Sequence, residues 1–186
     1  LIQYLLETQK NALNHIKKIQ RIQKMQFMAI DPFTHRNLDL TETMREKNKR
    51  GSLLWLLDKT KTSMGSRLLR TFIEQPLLSK QEIELRLDAV DELKNSFAMR
   101  SDLRDALSHV YDIERLLSRL SYMTLDGRHT VSLRQSLEPL PAVKALLESA
   151  SSRLLAQCGK ELDPLEELCQ YLNAAIADNP PLGVKE

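Results

Sequence analysis

The most informative part of the sequence is LDKTKTSMGSRLLRTFIEQPLL, which covers residues 57–78. Within it, apolar side chains recur at steps of three and four over residues 64–73, a period typical of one helix face. The hydroxyl of Thr62 or Ser63 can accept a hydrogen bond from a free amide of the first turn. Pro76 has no amide hydrogen to continue the helix. The stretch therefore predicts a helix that begins near Thr62 and ends before Pro76.

Gly65 is the one residue of this stretch that helix formation does not explain. In a helix, glycine is less favourable than alanine by up to about 1 kcal/mol. A close backbone approach by another segment would account for a residue without a Cβ atom. The alternative is an ordinary capped core helix in which the glycine is incidental. The pattern alone leaves both interpretations open.

Capping signals predict further helices along the chain. Ser52 is placed to cap the apolar segment that follows it, and Ser79 with Glu82 forms a capping box. Asp112 begins another segment with apolar residues along one side, DIERLLSRL. A helix is also predicted over residues 141–159, with a proline in its first turn and a glycine at its end.

The two ends of the chain complete the prediction. Residues 1–25 have the period of one long helix, and residues 26–30 could form a single short strand. Asp31-Pro32 interrupts the helical pattern, and Thr34 is predicted to cap a brief helix after it. Asp163-Pro164 opens a last helix. We therefore predict a mainly α, multi-helical domain with roughly eight to ten helices and at most one short strand.

Composition is that of a chain that can bury a core and still dissolve, with 42% apolar and 28% charged residues. No apolar run reaches the ~18 residues of a membrane helix, and no signal peptide is recognisable, so we predict a cytoplasmic protein without membrane contact. Cys158 and Cys169 are predicted to be buried free thiols in a reducing compartment. The sequence begins at Leu1 without Met, and we expect it to be part of a longer protein.

Catalytic chemistry has no support in the residue pattern. Gly65 does not lie in a phosphate-binding glycine loop, and its neighbouring serines have no adjacent base. The four histidines are scattered singly, at spacings that do not suit a metal: His15, His35, His109 and His129. We predict that the chain is not itself an enzyme.

A basic stripe leaves one binding function open. Lys17, Arg21 and Lys24 fall on one face of the helix predicted over residues 1–25 and could follow a DNA backbone. A solvated helix face would carry the same charges. An independent helical DNA-binding module is therefore an alternative function.

Five segments occur in one order: LLETQKNALNHI, MAIDPFTHRNLDL, GSLLWLLDKTKTSMGSRLLRTFIEQPL, RLDAVDEL and DIERLLSRL. This order resembles the core, or lever, domain of the MutS family of DNA mismatch-recognition ATPases, over residues 3–181. Its most specific parts are D-x-x-T-x-x-N-L from Asp31 and L-D-x-T-x-T-x-x-G-x-R-x-L-R…P-L from Leu57. The Phe72 position is more often Trp in the family.

The resemblance implies that residues 1–186 are part of a core/lever domain with long helices. The mismatch-binding, connector, clamp and ATPase domains of the parent protein would lie outside them. Family members are dimers that clamp duplex DNA with mispairs or small loops, exchange ADP for ATP, and recruit MutL. The implied partners are therefore mispaired DNA, a second MutS subunit and MutL, in a nucleoid-associated, cytoplasmic bacterial protein. ATP and Mg²⁺ would bind other parts of the parent, with no cofactor in this chain.

No catalytic, cofactor-binding or metal-binding residue is carried over from the family. The resemblance implies instead that a set of positions shapes turns and helix junctions, so that rotation at the ATPase end reaches the lever tip. These positions are Asp31, Thr34, Asn37, Asp58, Thr60, Thr62, Gly65, Arg67, Pro76, Asp112 and Arg115. An alternative is the matching domain of a shorter MutS-like paralogue, although DNPPLGVKE at the end of the chain argues for the mismatch branch.

Overall fold

The computed structural model describes residues 27–181, and within this range the chain is built from helices joined by turns. This confirms the predicted mainly α fold. The helix predicted over residues 1–25, with Lys17, Arg21 and Lys24, lies outside the described residues. In chain order the helices are α1 (Pro32–Asn37), α2 (Leu53–Leu57), α3 (Ser63–Glu74), α4 (Lys80–Asn95), α5 (Phe97–Ser108), α6 (Ile113–Ser121), α7 (Gly127–Leu137), α8 (Leu140–Glu148), α9 (Arg153–Glu161) and α10 (Glu166–Ala175).

The strand predicted over residues 26–30 is reduced to a single pairing in the described part of the chain. Phe27 forms an isolated antiparallel bridge with Leu77, and the Met28 amide donates to the Pro76 carbonyl at 2.8 Å. Within the described residues no longer strand follows this bridge, and helix α1 begins at Pro32.

Local caps begin most of the predicted helices where expected. In each case a side-chain oxygen accepts the amide hydrogen three residues on, which satisfies a donor that the first turn leaves free. The pairs are Ser52 with Trp55, Thr62 with Gly65, Ser79 with Glu82, and Asp112 with Arg115.

Helix α1 begins differently from the prediction. Asp31, not Thr34, is its N-cap, and one carboxylate oxygen accepts from the Phe33 and Thr34 amides at 2.9 and 3.1 Å. Asp31 takes an extended conformation before Pro32, which leaves its carboxylate beside the free amides of the first turn. Thr34 therefore lies inside the helix and donates its hydroxyl to Asp31.

The helix predicted over residues 141–159 is in fact two helices. Helix α8 ends at Glu148, and α9 starts at Arg153. The carboxylate of Glu92, in α4, accepts the amides of Ser151 and Ser152 at 2.6 and 2.7 Å. Those amides are thus bound by a distant side chain and not by the preceding helical carbonyls, which ends one helix and starts another.

Gly159 consequently lies inside α9 and does not end the predicted helix. A Cβ atom on Gly159 would lie 2.7 Å from the Glu148 amide nitrogen and 2.9 Å from the Leu147 carbonyl carbon. Only glycine allows the backbones of α8 and α9 to approach this closely, and these two helices form the most extensive helix pair of the fold.

Helices α2 to α10 pack in three groups. Helices α2 and α3 pair with each other, while α4, α5, α8 and α9 pack together, and α7 packs against both α6 and α10. A buried leucine cluster joins the third group, with partly buried Ile113, Leu125, Leu140 and Cys169 around it. Its members are Leu116, Leu133, Leu137 and Leu172.

The two cysteines differ in their exposure to solvent. Both cysteines are free, but Cys158 is exposed and Cys169 only partly buried, so the prediction of two buried thiols is wrong. Within residues 27–181, no helix is long and apolar enough to cross a membrane.

Candidate functional site: the junction of α3 with α6

The α2–α3 corner, residues 58–62, folds over the first turn of α3. The Thr62 hydroxyl accepts from the Gly65 amide at 3.0 Å. A Cβ atom on Gly65 would lie 3.0 Å from that hydroxyl oxygen and 3.5 Å from the Thr60 Cβ. The space beside Gly65 is therefore taken by side chains of the adjacent corner, and not by the backbone of another segment as the first interpretation supposed.

Asp58 is the centre of the corner. One of its carboxylate oxygens accepts from Lys49 Nζ and Ser66 Oγ, both at 2.7 Å, and the other accepts from Thr60 Oγ1 at 2.7 Å. These hydrogen bonds, led by the one from Lys49, hold the Asp58 pKa far below its usual range. The carboxylate thus joins the loop before α2, the corner and helix α3.

Arg67 joins α3 to the start of α6. Its Nη1 and Nη2 atoms donate to the two carboxylate oxygens of Asp112 at 2.8 and 2.7 Å, and its Nε donates to Glu114 at 3.1 Å. The hydrogen bonds from Arg67 lower the pKa of Asp112, and Asp112 with Glu114 raises that of Arg67. A bidentate pair of this kind fixes orientation as well as distance.

Asp112 has a second role in the same place. It is the N-cap of α6, where its carboxylate accepts from the Arg115 amide at 3.3 Å and lies 3.3 Å from Arg115 Nε. The structure therefore brings predicted site residues Arg67, Asp112 and Arg115 together. Asp112 therefore both caps α6 and forms the ion pair with Arg67 of α3.

Two further contacts attach α2 and α3 to the other helices, and the sequence offered no signal for either. Arg104, in α5, donates to the Lys59 carbonyl of the corner at 3.0 Å. The guanidinium carbon of Arg86, in α4, lies 3.7 Å from the centre of the Phe72 ring in α3, a cation–π geometry. Together with the Arg67 pair, these contacts are made by three arginines that cross between helix groups.

Ser136 holds the chain next to the junction of α3 with α6, a contact that the sequence did not predict. It is fully buried in α7, accepts the Tyr111 amide at 2.9 Å and donates to the Ser132 carbonyl at 2.7 Å. Because Tyr111 directly precedes Asp112, this hydrogen bond positions the chain just before the α6 cap. A serine within a helical pattern carries no local sign of such a contact.

The other predicted positions lie away from the junction. Asp31, Thr34 and Asn37 belong to the cap and body of α1, and the hydrogen bonds between Asp31 and Thr34 are local. Pro76 follows α3, and its carbonyl accepts the Met28 amide. These residues shape turns, and the structure does not bring them to Arg67.

The chemistry of the junction is that of ion pairs and helix caps. Across residues 27–181, no group of three or more His, Cys, Asp or Glu side chains is arranged to hold a metal ion. The hydroxyls of Thr60 and Ser66 donate hydrogen bonds to Asp58, and that of Thr62 caps α3. The arrangement is suited to fixing the relative orientation of helices.

Comparison with known proteins places this geometry in a family. Residues 33–186 match the family model described as MutS domain III. The chain belongs to the MutS domain III family. Curated relatives match over all 186 residues, each named DNA mismatch repair protein MutS: 46% identical in Lachnoclostridium phytofermentans, 47% in Ruminiclostridium cellulolyticum and 44% in Brevibacillus brevis. The chain accounts for 20%, 21% and 22% of those relatives' lengths, so this MutS domain III spans about a fifth of the proteins it matches.

Proposed function

We propose that this MutS domain III is the structural and allosteric core/lever segment of a DNA mismatch repair ATPase. In this function it couples the nucleotide site to DNA clamping and mismatch recognition. The observation that carries the proposal is the pair of hydrogen bonds from Arg67 to Asp112. These bonds join the well-capped helix α3 to the N-cap residue of α6. The names of these relatives, which all refer to mismatch repair, favour this branch over the shorter paralogue.

The remaining parts of the proposal concern the whole protein. ATP and Mg²⁺ would bind a separate ATPase domain, and mispaired or looped duplex DNA would be held through other domains. A second MutS subunit and MutL are the proposed protein partners, in the bacterial cytoplasm near the nucleoid. The residues of this chain would contribute rigidity and helix orientation rather than contacts with these ligands.

The geometry suggests how a movement would pass through the domain. A rotation of α3 moves Arg67, and the two parallel hydrogen bonds to Asp112 require the first turn of α6 to follow or the pair to break. A contact that either holds or breaks in this way can link distant sites. Coupling free energies between sites are typically ~1–3 kcal/mol.

The test compares two arginines of α3 in the full-length protein that contains this chain. Arg67→Ala removes the link to α6, whereas Arg70→Ala removes only the 2.8 Å pair with Glu74 inside α3. Release from mismatched DNA is measured with and without ATP. We expect Arg67→Ala to reduce the ATP-dependent change in release rate and Arg70→Ala to leave it unaltered.

A second variant guards against a purely local effect. Gly65→Leu leaves Arg67 in place but puts a side chain where the Thr60 and Thr62 side chains now lie, which displaces the corner from α3. We expect it to reduce the same coupling. Full ATP-dependent release in both Arg67→Ala and Gly65→Leu, with far-UV circular dichroism like that of the wild type, would overturn the proposal.

A further inference from the structure

Arg134, in α7, is the most buried charged residue of the described chain and lies outside the junction. Its relative exposure is 7%. Nη2 donates to Asp178 Oδ1 at 2.6 Å, and Nη1 donates to the Ile176 carbonyl at 3.3 Å. Both acceptors follow directly after α10, which ends at Ala175. One buried guanidinium therefore holds the segment that leaves α10.

The charge balance of Arg134 depends on that segment. A buried charge is costly unless it is paired and hydrogen-bonded. The other carboxylate near it, Glu138, is 3.7 Å from Nε, beyond hydrogen-bonding distance, and Nε has no hydrogen-bond partner in the described residues. Asp178 itself is exposed over 83% of its side chain. An exposed residue in an irregular segment thus provides the main counter-charge for a buried one.

A second contact holds the same segment at the other end of α7. A Cβ atom on Gly127, the first residue of α7, would lie 2.8 Å from the Pro180 Cβ. The glycine leaves the space that Pro180 fills. Residues 176–180 are therefore attached to α7 at both Arg134 and Gly127.

Helix α7 also connects this segment to the junction of α3 with α6. Leu133 and Leu137, on either side of Arg134 in α7, are buried in one cluster with Leu116 of α6. Asp112, which caps α6, is held by Arg67. Of these two packed helices, α6 is bound at its start by Arg67, and α7 binds the segment after α10 through Arg134.

We propose that Arg134 is a positioning residue that latches residues 176–178 to α7 and so sets the direction in which the chain continues from α10. We call Arg134 with the Ile176 carbonyl and Asp178 the Arg134 latch. Opening the latch would leave a buried guanidinium without its main counter-charge, which is energetically costly. The latch therefore stays closed, and α7 and residues 176–178 move as one unit. That the latch passes movement from the junction onward rests on the proposed function, whereas the latch itself does not.

The latch is tested by hydrogen exchange in a polypeptide that contains the whole chain, without nucleotide or DNA. Asp178→Asn removes the counter-charge from an exposed position, so the fold should be retained. We expect amides in peptides covering residues 172–181 to exchange about tenfold faster, because the neutral Asn oxygen accepts a weaker hydrogen bond from the guanidinium than the carboxylate does. Peptides covering α8 and α9 should be unchanged, and Asp178→Glu should restore slow exchange.

The matched control is Glu138→Gln, which removes the other carboxylate near Arg134 but none of its hydrogen bonds. It should leave exchange in residues 172–181 as in the wild type. Exchange that is unaltered in Asp178→Asn, or raised equally by Glu138→Gln, would overturn the latch. Arg134→Met, which replaces the charge by an apolar side chain of similar length, should also free the segment if it folds.

The release assay then tests whether the latch also transmits movement from the junction. In the full-length protein, Asp178→Asn should reduce ATP-dependent release from mismatched DNA, as we expect for Arg67→Ala. Faster exchange with unaltered release would mean that the latch holds the segment but transmits nothing. Loss of coupling in Asp178→Asn but not in Arg67→Ala would contradict the proposed route through α3 and leave the latch standing.

Discussion

The guanidinium of Arg67 holds both carboxylate oxygens of Asp112, a residue 45 positions further along the chain, at 2.8 and 2.7 Å. Asp112 is at the same time the N-cap of α6. Helix α3 therefore contacts α6 through the residue that begins it, and the bidentate geometry sets the angle between them. The hydrogen bonds from Arg67 to Asp112 and from Arg104 to the Lys59 carbonyl thus help to set the orientation of α2 and α3.

Arg67→Lys should weaken the α3–α6 link although it preserves the charge. An ammonium group is a compact donor and cannot reproduce a fork that serves Asp112 and Glu114 together. We expect a lower urea midpoint than in the wild type. Arg70→Lys, in the same helix and paired with Glu74 four residues on, should not lower it. Equal midpoints for the two lysine variants would contradict the prediction.

Asp58→Asn should destabilise the corner in a pH-dependent way. The folded pKa of Asp58 lies below its ordinary value of 3.8. Its stabilising contribution is therefore fully present above that value and is lost as the pH falls toward the folded pKa. We expect the variant to lose roughly 1–2 kcal/mol of unfolding free energy at pH 7.

The difference between Asp58→Asn and the wild type should become smaller below about pH 4, as measured by urea unfolding across a pH series. Asp88→Asn serves as the control, because Asp88 is exposed on α4 and makes no ion pair or side-chain hydrogen bond with the described residues. A constant difference for Asp58→Asn from pH 7 to pH 3 would show that the charge of this carboxylate does not stabilise the corner.

Gly159→Ala should be destabilising although alanine is the better helix former. The added Cβ would meet backbone atoms of Glu148 and Leu147 at 2.7 and 2.9 Å, and backbone cannot rotate aside. Overpacking of this kind costs about 1–3 kcal/mol, more than the helix propensity gained. Thermal unfolding measures the loss. Gly65→Ala, where the nearest atom is a side-chain oxygen at 3.0 Å, should cost less, and the reverse order would refute the explanation.

Ser136→Ala should cost about 1–3 kcal/mol of unfolding free energy, because it leaves the Tyr111 amide without its partner in a part-buried place. Ser121→Ala is the comparison. Ser121 also donates to the carbonyl four residues before it, but it is exposed and accepts no distant amide. Its replacement should change the free energy by less than about 0.5 kcal/mol. Similar losses in both variants would exclude a special role for the Tyr111 contact.

The residues at which helices begin were largely predictable from the sequence, but the contacts between helices were not. Ser52, Thr62, Ser79 and Asp112 cap helices as predicted, because a cap joins atoms only three residues apart. The break between α8 and α9 was missed because it depends on Glu92, which lies about sixty residues before the amides that it binds.

The apolar period indicated a helix but not which side would be buried. Ile83, Leu87 and Val90 have the spacing of one helix face, yet all three are exposed in the described structure and Ala89 is the buried residue of α4. Periodicity shows that a helix has two faces, whereas burial depends on which neighbours pack against it. In α4, those neighbours are α5 and α9.

The same division applies to the candidate site. Motif order named Asp58, Arg67 and Asp112, and the capping role of Asp112 could be read from residues next to it. That Arg67 binds Asp112, that Ser136 supports Tyr111, and that Arg134 pairs with Asp178 all follow from contacts between residues 25 to 45 positions apart. A short-range hydrogen bond can be predicted from residues close together in the sequence. The partners of a long side chain depend on how the helices pack, because only folding brings those residues together.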